Sequence, residues 1–288
     1  MGYVDEAFKD LKSNLEITTT EQAQAISRHH AIRDHVGGHI DLCDDFLTGS
    51  YRRATKTKRL KDVDIFCVLK ADGADGDVRD LTPIRALGHL QAVLMKKYPK
   101  ATIGRRSCAV EFGKEDAVVS FDIVPAFDRD GGGYEIPDRV VGEWIATNPR
   151  IHHEMATAKN AECGKQWIPF VKMVKGWNRE WDRPVRPSFL LEVMALTLVR
   201  PPFGSFQDEI VWFLASAADQ IQDVWPDPAG LGPDVNSSMA SYEKSAAADR
   251  LREALAVAEA AVELEDAGKE QAAVEKWREL FGSRMRRP

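Results

Sequence analysis

Two aspartates lie two residues apart on one apolar stretch, and a third lies alone on another. Asp62 and Asp64 belong to Lys-Asp-Val-Asp-Ile-Phe-Cys-Val-Leu, where the alternation of a β-strand would direct both to one face. Asp122 is the single charge in Val-Val-Ser-Phe-Asp-Ile-Val-Pro-Ala-Phe. Neighbouring carboxylates beside apolar side chains repel each other and resist desolvation unless a cation neutralises them. Mg²⁺ is the expected cation, because it takes carboxylate oxygens and keeps positions for water and phosphates.

A glycine-serine pair precedes these aspartates, and a basic run separates the two features. The backbone N–H groups of Gly49 and Ser50, with the serine hydroxyl, could bind a phosphate where the chain leaves a helix. The basic run contains Arg52, Arg53, Lys56, Lys58, Arg59 and Lys61. It is too short and too close to the aspartates to follow a nucleic-acid strand, so we expect it to border the pocket and attract an anionic substrate toward the aspartates.

Each feature also has a plainer interpretation. A Gly-Ser turn before an Asp-x-Asp strand is by itself typical of two solvated aspartates at a strand end. The third carboxylate, Asp122, favours a metal site over solvated aspartates. In register beside Asp62 and Asp64, it would complete a set of metal ligands. The ordered combination therefore predicts a two-metal site that acts on phosphates.

Hydrophobic periodicity predicts the elements that position these residues. A helix from about Glu21 to Asp44 is expected, with a weak point at Gly37-Gly38 and four histidines on a solvated face. Further predictions are strands at 63–69, 106–112 and 117–124, a turn at 113–116, a helix at 82–97 and a short helix containing Trp144. The remaining helices are predicted at 150–160, 163–179, 188–199, 205–222, 238–266 and 269–281. These elements suggest an α/β domain over residues 1–145 and a helical domain over 146–288.

Composition narrows the functional class. The chain has 288 residues, 44% of them hydrophobic, and a net charge of -6, which disfavours general binding to duplex nucleic acid. A signal peptide and an apolar run long enough for a membrane span are not found in the sequence, so we expect a cytoplasmic protein. Cys43, Cys67 and Cys108 are expected as buried reduced thiols. His152, His153 and Cys163 make a poor zinc set, so no structural zinc is expected.

Five segments resemble a known family in their order. They are 46–51 (Phe-Leu-Thr-Gly-Ser-Tyr), 61–66 (Lys-Asp-Val-Asp-Ile-Phe), 121–127 (Phe-Asp-Ile-Val-Pro-Ala-Phe), Trp144 with 147–149 (Thr-Asn-Pro), and 170–178 (Phe-Val-Lys-Met-Val-Lys-Gly-Trp-Asn). Together they are similar to the bacterial cGAS/DncV-like nucleotidyltransferases (CD-NTases) of the polymerase-beta-like superfamily. The resemblance implies an α+β fold, with a mixed sheet, flanking helices, a C-terminal helical domain and an active site in the cleft between the domains.

The family joins nucleoside triphosphates into cyclic di- or trinucleotide signals in anti-phage defence, with release of pyrophosphate. The resemblance implies that Asp62, Asp64 and Asp122 hold two Mg²⁺ ions, for which Mn²⁺ could substitute. One ion would acidify the acceptor hydroxyl, which Asp122 would lie nearest, and the other would neutralise the triphosphate. Gly49 and Ser50 would bind the donor phosphates.

Further contacts are implied on later elements. Lys172 and Lys175 lie one helical turn apart and could reach the triphosphate, with Lys172 preferred; the alternative is lysines that extend to solvent. Tyr134 is the candidate for stacking a base. The implied substrates include ATP, the expected state is a monomer, and a regulatory protein partner is left open.

Two other functions remain as alternatives. A template-independent RNA nucleotidyltransferase, of the CCA-adding or poly(A) polymerase type, would share the Gly-Ser and Asp-x-Asp features. It would need a basic track, and residues 159–288 have no dense basic run before Arg284-Met-Arg-Arg287. A catalytically silent nucleotide-binding protein is less favoured, because all three carboxylates are present.

Overall fold

The structure, a computed structural model, describes residues 2–58, 60–113, 116, 118 and 120–287. Contacts divide the chain into two compact units: Ile17–His153, and the remaining residues before and after it. Arg59 of the basic run, residues 114 and 115 of the predicted turn, and residues 117 and 119 of the predicted third strand lie outside the described residues.

The unit Ile17–His153 is built on a mixed sheet. Its strands are β1 (Leu42–Leu47), β2 (Val63–Leu69), β3 (Thr102–Ile103), β4 (Cys108–Glu111), β5 (Ser120–Asp128), β6 (Tyr134–Asp138) and β7 (Glu143–Thr147). The order is β1-β2-β5-β4-β3, with β6 beside the end of β5 and β7 beside β6. The β2–β5 pair is parallel and the other pairs are antiparallel.

The helices complete the chain. They are α1 (Tyr3–Leu15), α2 (Thr19–Gly37), α3 (Gly49–Arg52), α4 (Pro83–Met95), α5 (Pro149–Glu162), α6 (Trp167–Glu180), α7 (Ser188–Leu198), α8 (Phe206–Gln220), α9 (Ser241–Asp266) and α10 (Glu270–Phe281). The predicted α+β fold, a mixed sheet with flanking helices and a helical C-terminal part, is confirmed. None of the helices in the described ranges has both the length and the apolar character needed to cross a membrane.

The two faces of the central strands have different environments. On one face, Ile65 of β2 and Ile123 of β5 belong to a buried cluster that includes apolar side chains of α2 and α4. On the other face, Phe66 and Val124 belong to a smaller cluster that includes Tyr134. Since side chains alternate along a strand, Asp64 and Asp122 share this second face. One side of the sheet therefore stabilises the unit, and the other presents the predicted carboxylates.

The predicted helix 21–44 is too long. Helix α2 begins after Thr18, whose side chain accepts a hydrogen bond from the backbone of Glu21, and it ends at Gly37. Two consecutive glycines weaken a helix by roughly 1 kcal/mol each, and the following residues pair with β2 instead. As a result, Gly49 follows a strand, whereas the sequence suggests that it follows a helix.

The predicted short helix containing Trp144 is also wrong, because strands β6 and β7 form an antiparallel hairpin there. Trp144 lies on β7, where its indole N–H donates to the carbonyl oxygen of Leu81 at 3.0 Å. Its ring packs edge-on against Phe127, with 5.6 Å between ring centroids. Strand pairing and these two contacts outweigh the local helical signal.

The predicted solvent exposure is wrong for two residues near strand β1, His29 and Cys43. His29 was expected on a solvated face, but it is buried beside β1, with its ring 2.9 Å from Asp45. Cys43 was expected in the core, but it is exposed where the β1–β2 register shifts between Leu42 and Asp44. The other predicted core thiols, Cys67 and Cys108, are buried as expected.

The second unit contains the predicted C-terminal helices around one apolar core. Helix α1 joins this core through Phe8, which contacts Trp277 and Phe281 with centroid separations of 5.1 and 6.2 Å. The apolar stripe of α1 therefore finds its partners on α10. The sequence-based division instead assigns these N-terminal residues to the domain 1–145.

Candidate active site

Asp64 and Asp122 are direct partners in the parallel pairing of β2 with β5. Adjacent strands lie about 4.8 Å apart, and partners in register point to the same face, so these two carboxylates are neighbours. The hydrophobic residues that alternate with them anchor both strands in the core on the opposite face. The strand pairing therefore fixes the relative position of two of the three predicted aspartates.

Asp62 is oriented differently from the sequence expectation. It precedes β2 and has a φ of +53°, so strand alternation does not direct its side chain. Its backbone N–H donates to the Ser120 hydroxyl at 2.9 Å, and that hydroxyl donates to Asp62 Oδ1 at 2.7 Å. Ser120 begins β5, so this reciprocal pair joins Asp62 to the strand that carries Asp122.

The electrostatic environment raises the pKa of both strand carboxylates. Desolvation raises the pKa of Asp64 to about 6, and the charges of Asp122 and Asp62 add to the effect, although Lys56 and Arg53 oppose it. Desolvation also raises the pKa of Asp122; the Ser107 hydrogen bond opposes this rise, and the charge of Asp62 reinforces it. A divalent cation would relieve this repulsion.

Gly49 is in close contact with the Asp64 side chain. The backbone N–H of Thr48 donates to the carbonyl oxygen of Asp64 at 2.9 Å, which joins the end of β1 to the start of β2. Gly49 has a φ of +63°, and a Cβ at this position would lie 1.8 Å from Asp64 Oδ2. Only glycine permits this approach without displacing the carboxylate.

The basic run folds back toward the aspartates. The carbonyl oxygen of Ser50 accepts hydrogen bonds from the backbone N–H groups of Thr55 and Lys56, both at 3.0 Å. Lys56 Nζ then donates to the carbonyl oxygen of Asp62 at 3.2 Å. Arg53 is buried, so the run is only in part the exposed border that the sequence suggests.

Sequence reasoning did not identify Ser107. Its hydroxyl donates to Asp122 Oδ1 at 2.8 Å, from the turn that precedes β4. Serine is common in turns, and no residue type or spacing distinguishes this one in the sequence, where it falls inside the predicted strand 106–112. Only the antiparallel pairing of Ala109 with Asp122 brings that turn to the carboxylate.

Tyr134 lies farther along the same face of the sheet. It is 7% exposed, and its ring packs against Phe46 and Phe66 with centroid separations of 5.4 and 5.8 Å. Its hydroxyl accepts a hydrogen bond from Arg150 Nε at 2.7 Å, and that guanidinium lies 4.3 Å from the Phe46 ring centroid. The base-stacking role of Tyr134 stays a prediction.

Lys172 and Lys175 belong to α6 in the helical unit, and each ammonium group has a carboxylate partner there. Lys172 is 3% exposed and forms an ion pair with Glu16. Lys175 Nζ lies 2.8 Å from Oε1 of the buried Glu192. Neither lysine simply extends to solvent, and the triphosphate contact predicted for each stays a prediction.

The carboxylates fit a hard divalent ion in their chemistry. Asp64 and Asp122 supply oxygen donors whose mutual repulsion a cation would relieve, and Asp62 directly precedes the strand that carries Asp64. Across the described residues, no group of three or more acidic, histidine or cysteine side chains is close enough to enclose an ion. In this structure Asp62 is instead held by Ser120.

Comparisons with known proteins show which family the chain resembles. The family model described as "Second Messenger Oligonucleotide or Dinucleotide Synthetase domain" matches residues 1–160. A cyclic AMP-AMP-AMP synthase of Acinetobacter sp. (strain ATCC 27244 / 9458) is 28% identical over 304 residues, covering 98% of this chain and 85% of that protein.

Two solved structures share the fold. The CD-NTase CdnG of Bradyrhizobium diazoefficiens, in complex with GTP, superposes with a TM-score of 0.77 and 18% identity, covering 99% of this chain and 96% of that one. The CdnC:HORMA-deltaN complex of E. coli MS115-1 gives a TM-score of 0.75 and 18% identity, covering 96% of each chain. At these identities the likeness concerns the fold alone.

Proposed function

The chain belongs to the family of Second Messenger Oligonucleotide or Dinucleotide Synthetase domains, and we propose that Asp62, Asp64 and Asp122 form its catalytic centre. It is a nucleotidyltransferase that makes cyclic nucleotides. The observation that carries this proposal is the register of β2 and β5, which sets Asp64 beside Asp122 on the face opposite the core. Gly49 lies against the Asp64 side chain, as a phosphate-binding turn beside a metal ligand would.

The three carboxylates would hold two Mg²⁺ ions, with Mn²⁺ as a substitute. Bound ions would lower the pKa of the attacking ribose hydroxyl and neutralise the triphosphate and the leaving pyrophosphate. The chain's own contribution is to place the carboxylates and to supply N–H donors at Gly49 and Ser50 for the donor phosphates. Lys56, which already contacts the Asp62 backbone, adds positive charge beside them.

ATP is the substrate that we propose first, because the Acinetobacter relative is named for a product built from AMP. Incubation of the purified protein with labelled ATP and Mg²⁺ should give a phosphatase-resistant product, whose mass distinguishes a di- from a trinucleotide. Asp64→Asn should reduce the rate of product formation at least 1,000-fold. This factor corresponds to a loss of about 4 kcal/mol of transition-state stabilisation. Arg85→Ala, at an exposed position on helix α4 of the same unit, serves as the control.

The product also tests the alternative functions. Linear products extended from an added RNA primer would instead support the CCA-adding or poly(A) polymerase type. ATP binding without any product, unaffected by Mg²⁺, would indicate a silent nucleotide-binding protein. A cyclic product that persists in Asp64→Asn would contradict the assigned catalytic centre.

We also infer a role in anti-phage signalling and a protein partner. The basis for the partner is the CdnC neighbour, which was solved as a complex with HORMA-deltaN. Expression in bacteria challenged with phage would test the role, with Asp64→Asn as the inactive control. Protection that is equal in both strains would contradict it.

A further inference from the structure

Asp138 is a fully buried carboxylate that the proposed chemistry does not use. It accepts hydrogen bonds from Arg105 Nε at 3.0 and 2.9 Å and from Arg106 Nε at 2.8 Å. The backbone N–H groups of Val140 and Val141 also donate to its Oδ1, at 3.0 and 3.2 Å. Burial alone would raise the pKa of Asp138, but these donors outweigh it and hold the pKa well below the usual range.

The two backbone donors are enough to explain an aspartate in the turn between β6 and β7, since aspartate commonly closes such turns. They do not explain two arginines directed at the same carboxylate. A buried ionic group is costly to desolvate and is weak evidence for stability alone. The arginines belong to a different segment, the turn between β3 and β4.

This arginine turn is fixed at several points. The backbone N–H of Arg139 donates to the carbonyl oxygen of Arg105 at 3.1 Å, beside the side-chain contacts with Asp138. Within the turn, the N–H of Gly104 donates to the carbonyl oxygen of Ser107 at 2.8 Å. The hairpin β6–β7 thus holds both the main chain and the side chains of the residues that directly precede Ser107.

Ser107 in turn holds the third aspartate. Its hydroxyl donates to Asp122 Oδ1 at 2.8 Å, which restricts rotation of that carboxylate. Partners that orient metal ligands in this way typically change metal affinity or activity 10–100-fold when they are removed. A continuous series of contacts therefore runs from Asp138 through the arginine turn and Ser107 to Asp122.

We propose that Asp138 is a positioning residue for Asp122, acting through Arg105, Arg106 and Ser107. This inference rests on the proposed role of Asp122 as a metal ligand. It assigns Asp138, at the end of β6, a role in the reaction without any contact between Asp138 and a nucleotide.

A double-mutant cycle tests the proposal. Asp138→Asn, Ser107→Ala and the double variant are compared by Mn²⁺ binding, measured from the electron paramagnetic resonance signal of free Mn²⁺, and by kcat for nucleotidyl transfer. Each single variant should weaken Mn²⁺ binding about 10-fold. The double variant should be no weaker than Ser107→Ala alone, because both changes interrupt one series of contacts.

Glu135→Gln provides the matched control. Glu135 lies on the same strand as Asp138 and pairs with an arginine, Arg79, at 2.6 Å. Among the residues that the structure describes, no hydrogen bond or ion pair joins Glu135 to the arginine turn. This variant should leave Mn²⁺ binding unchanged. If Asp138→Asn does not fold, Arg106→Gln replaces it in the cycle, because Arg105 and both backbone donors still hold Asp138.

The outcomes separate this inference from the proposed function. Fold-changes in Mn²⁺ affinity that multiply in the double variant would overturn the inference, as would an equal loss in Glu135→Gln. If the wild type binds Mn²⁺ but makes no nucleotide product, the proposed function fails and the binding cycle still decides the inference. If the wild type binds no Mn²⁺, both are wrong.

Discussion

Replacing Gly49 by alanine tests how closely the backbone at the start of α3 approaches the Asp64 carboxylate. The added Cβ would lie 1.8 Å from Oδ2 and 2.7 Å from Cγ of Asp64, whereas real Cβ atoms do not approach other heavy atoms within 3.0 Å. The carboxylate must therefore move by more than 1 Å. Because it is the end of a side chain, it can rotate without unfolding the unit.

Two separate effects follow, and they differ in size. The φ of +63° costs an L-amino acid roughly 1–2 kcal/mol, which lowers the free energy of unfolding by that amount. Displacing a catalytic group by about 1 Å costs on the order of 100-fold in rate. We expect Gly49→Ala to remain folded and to lose at least this factor in kcat.

Gly164→Ala separates the backbone effect from the displacement. Gly164 has a similar φ of +58°, but a Cβ there would meet nothing within 4 Å. Thermal unfolding and the rate of pyrophosphate release from ATP are measured for both variants. Gly164→Ala should show a similar loss of stability and normal turnover. Equal kcat values in the two variants would refute the close approach of Gly49 to a catalytic Asp64.

Two further predictions concern buried charges. Lys175→Met removes the ammonium group that neutralises the buried Glu192, so urea unfolding should show a loss of about 3 kcal/mol. Lys276→Met, at an exposed i,i+3 pair, should lose less than about 1 kcal/mol, and equal losses would contradict the buried pairing. The second prediction concerns Asp138, whose pKa is lower in the folded protein than the ordinary value of 3.8. The charged carboxylate therefore contributes its full stabilisation above pH 3.8, and this stabilisation is lost as the pH falls further. Asp138→Asn should therefore lose less stability than the wild type on acidification below about pH 4, as thermal unfolding would show; parallel curves would refute this.

Local pattern was sufficient to predict the strands that carry the aspartates. The apolar residues around Asp64 and Asp122 predict a strand at each position, and β2 was predicted at its observed bounds. Local pattern does not establish the parallel register of these strands, which depends on contacts between distant segments. The orientation of Asp62 was missed for a related reason, since its positive φ is set by the hydrogen bonds with Ser120.

The sequence-based predictions are wrong or incomplete where contacts between distant segments outweigh the local residue pattern. Strand β1 contains Asp44 and Asp45 and lacks clear alternation, so its first three residues, 42–44, were predicted as the end of the preceding helix. Pro137 and Gly142 obscured the β6–β7 hairpin, which only its pairing with β5 makes evident. Ser107 has no sequence signal of its own, because its importance comes from the turn that brings it to Asp122.

The parallel pairing of β2 with β5 also bears on folding. The two strands are separated in the chain by α4, β3 and β4, so their pairing requires closure of a long loop, which is a slow step. That closure brings like charges together, and a divalent ion bound only by the folded pair would stabilise it by mass action. Mg²⁺ would then increase the fraction of this unit that is folded, in addition to supporting the reaction.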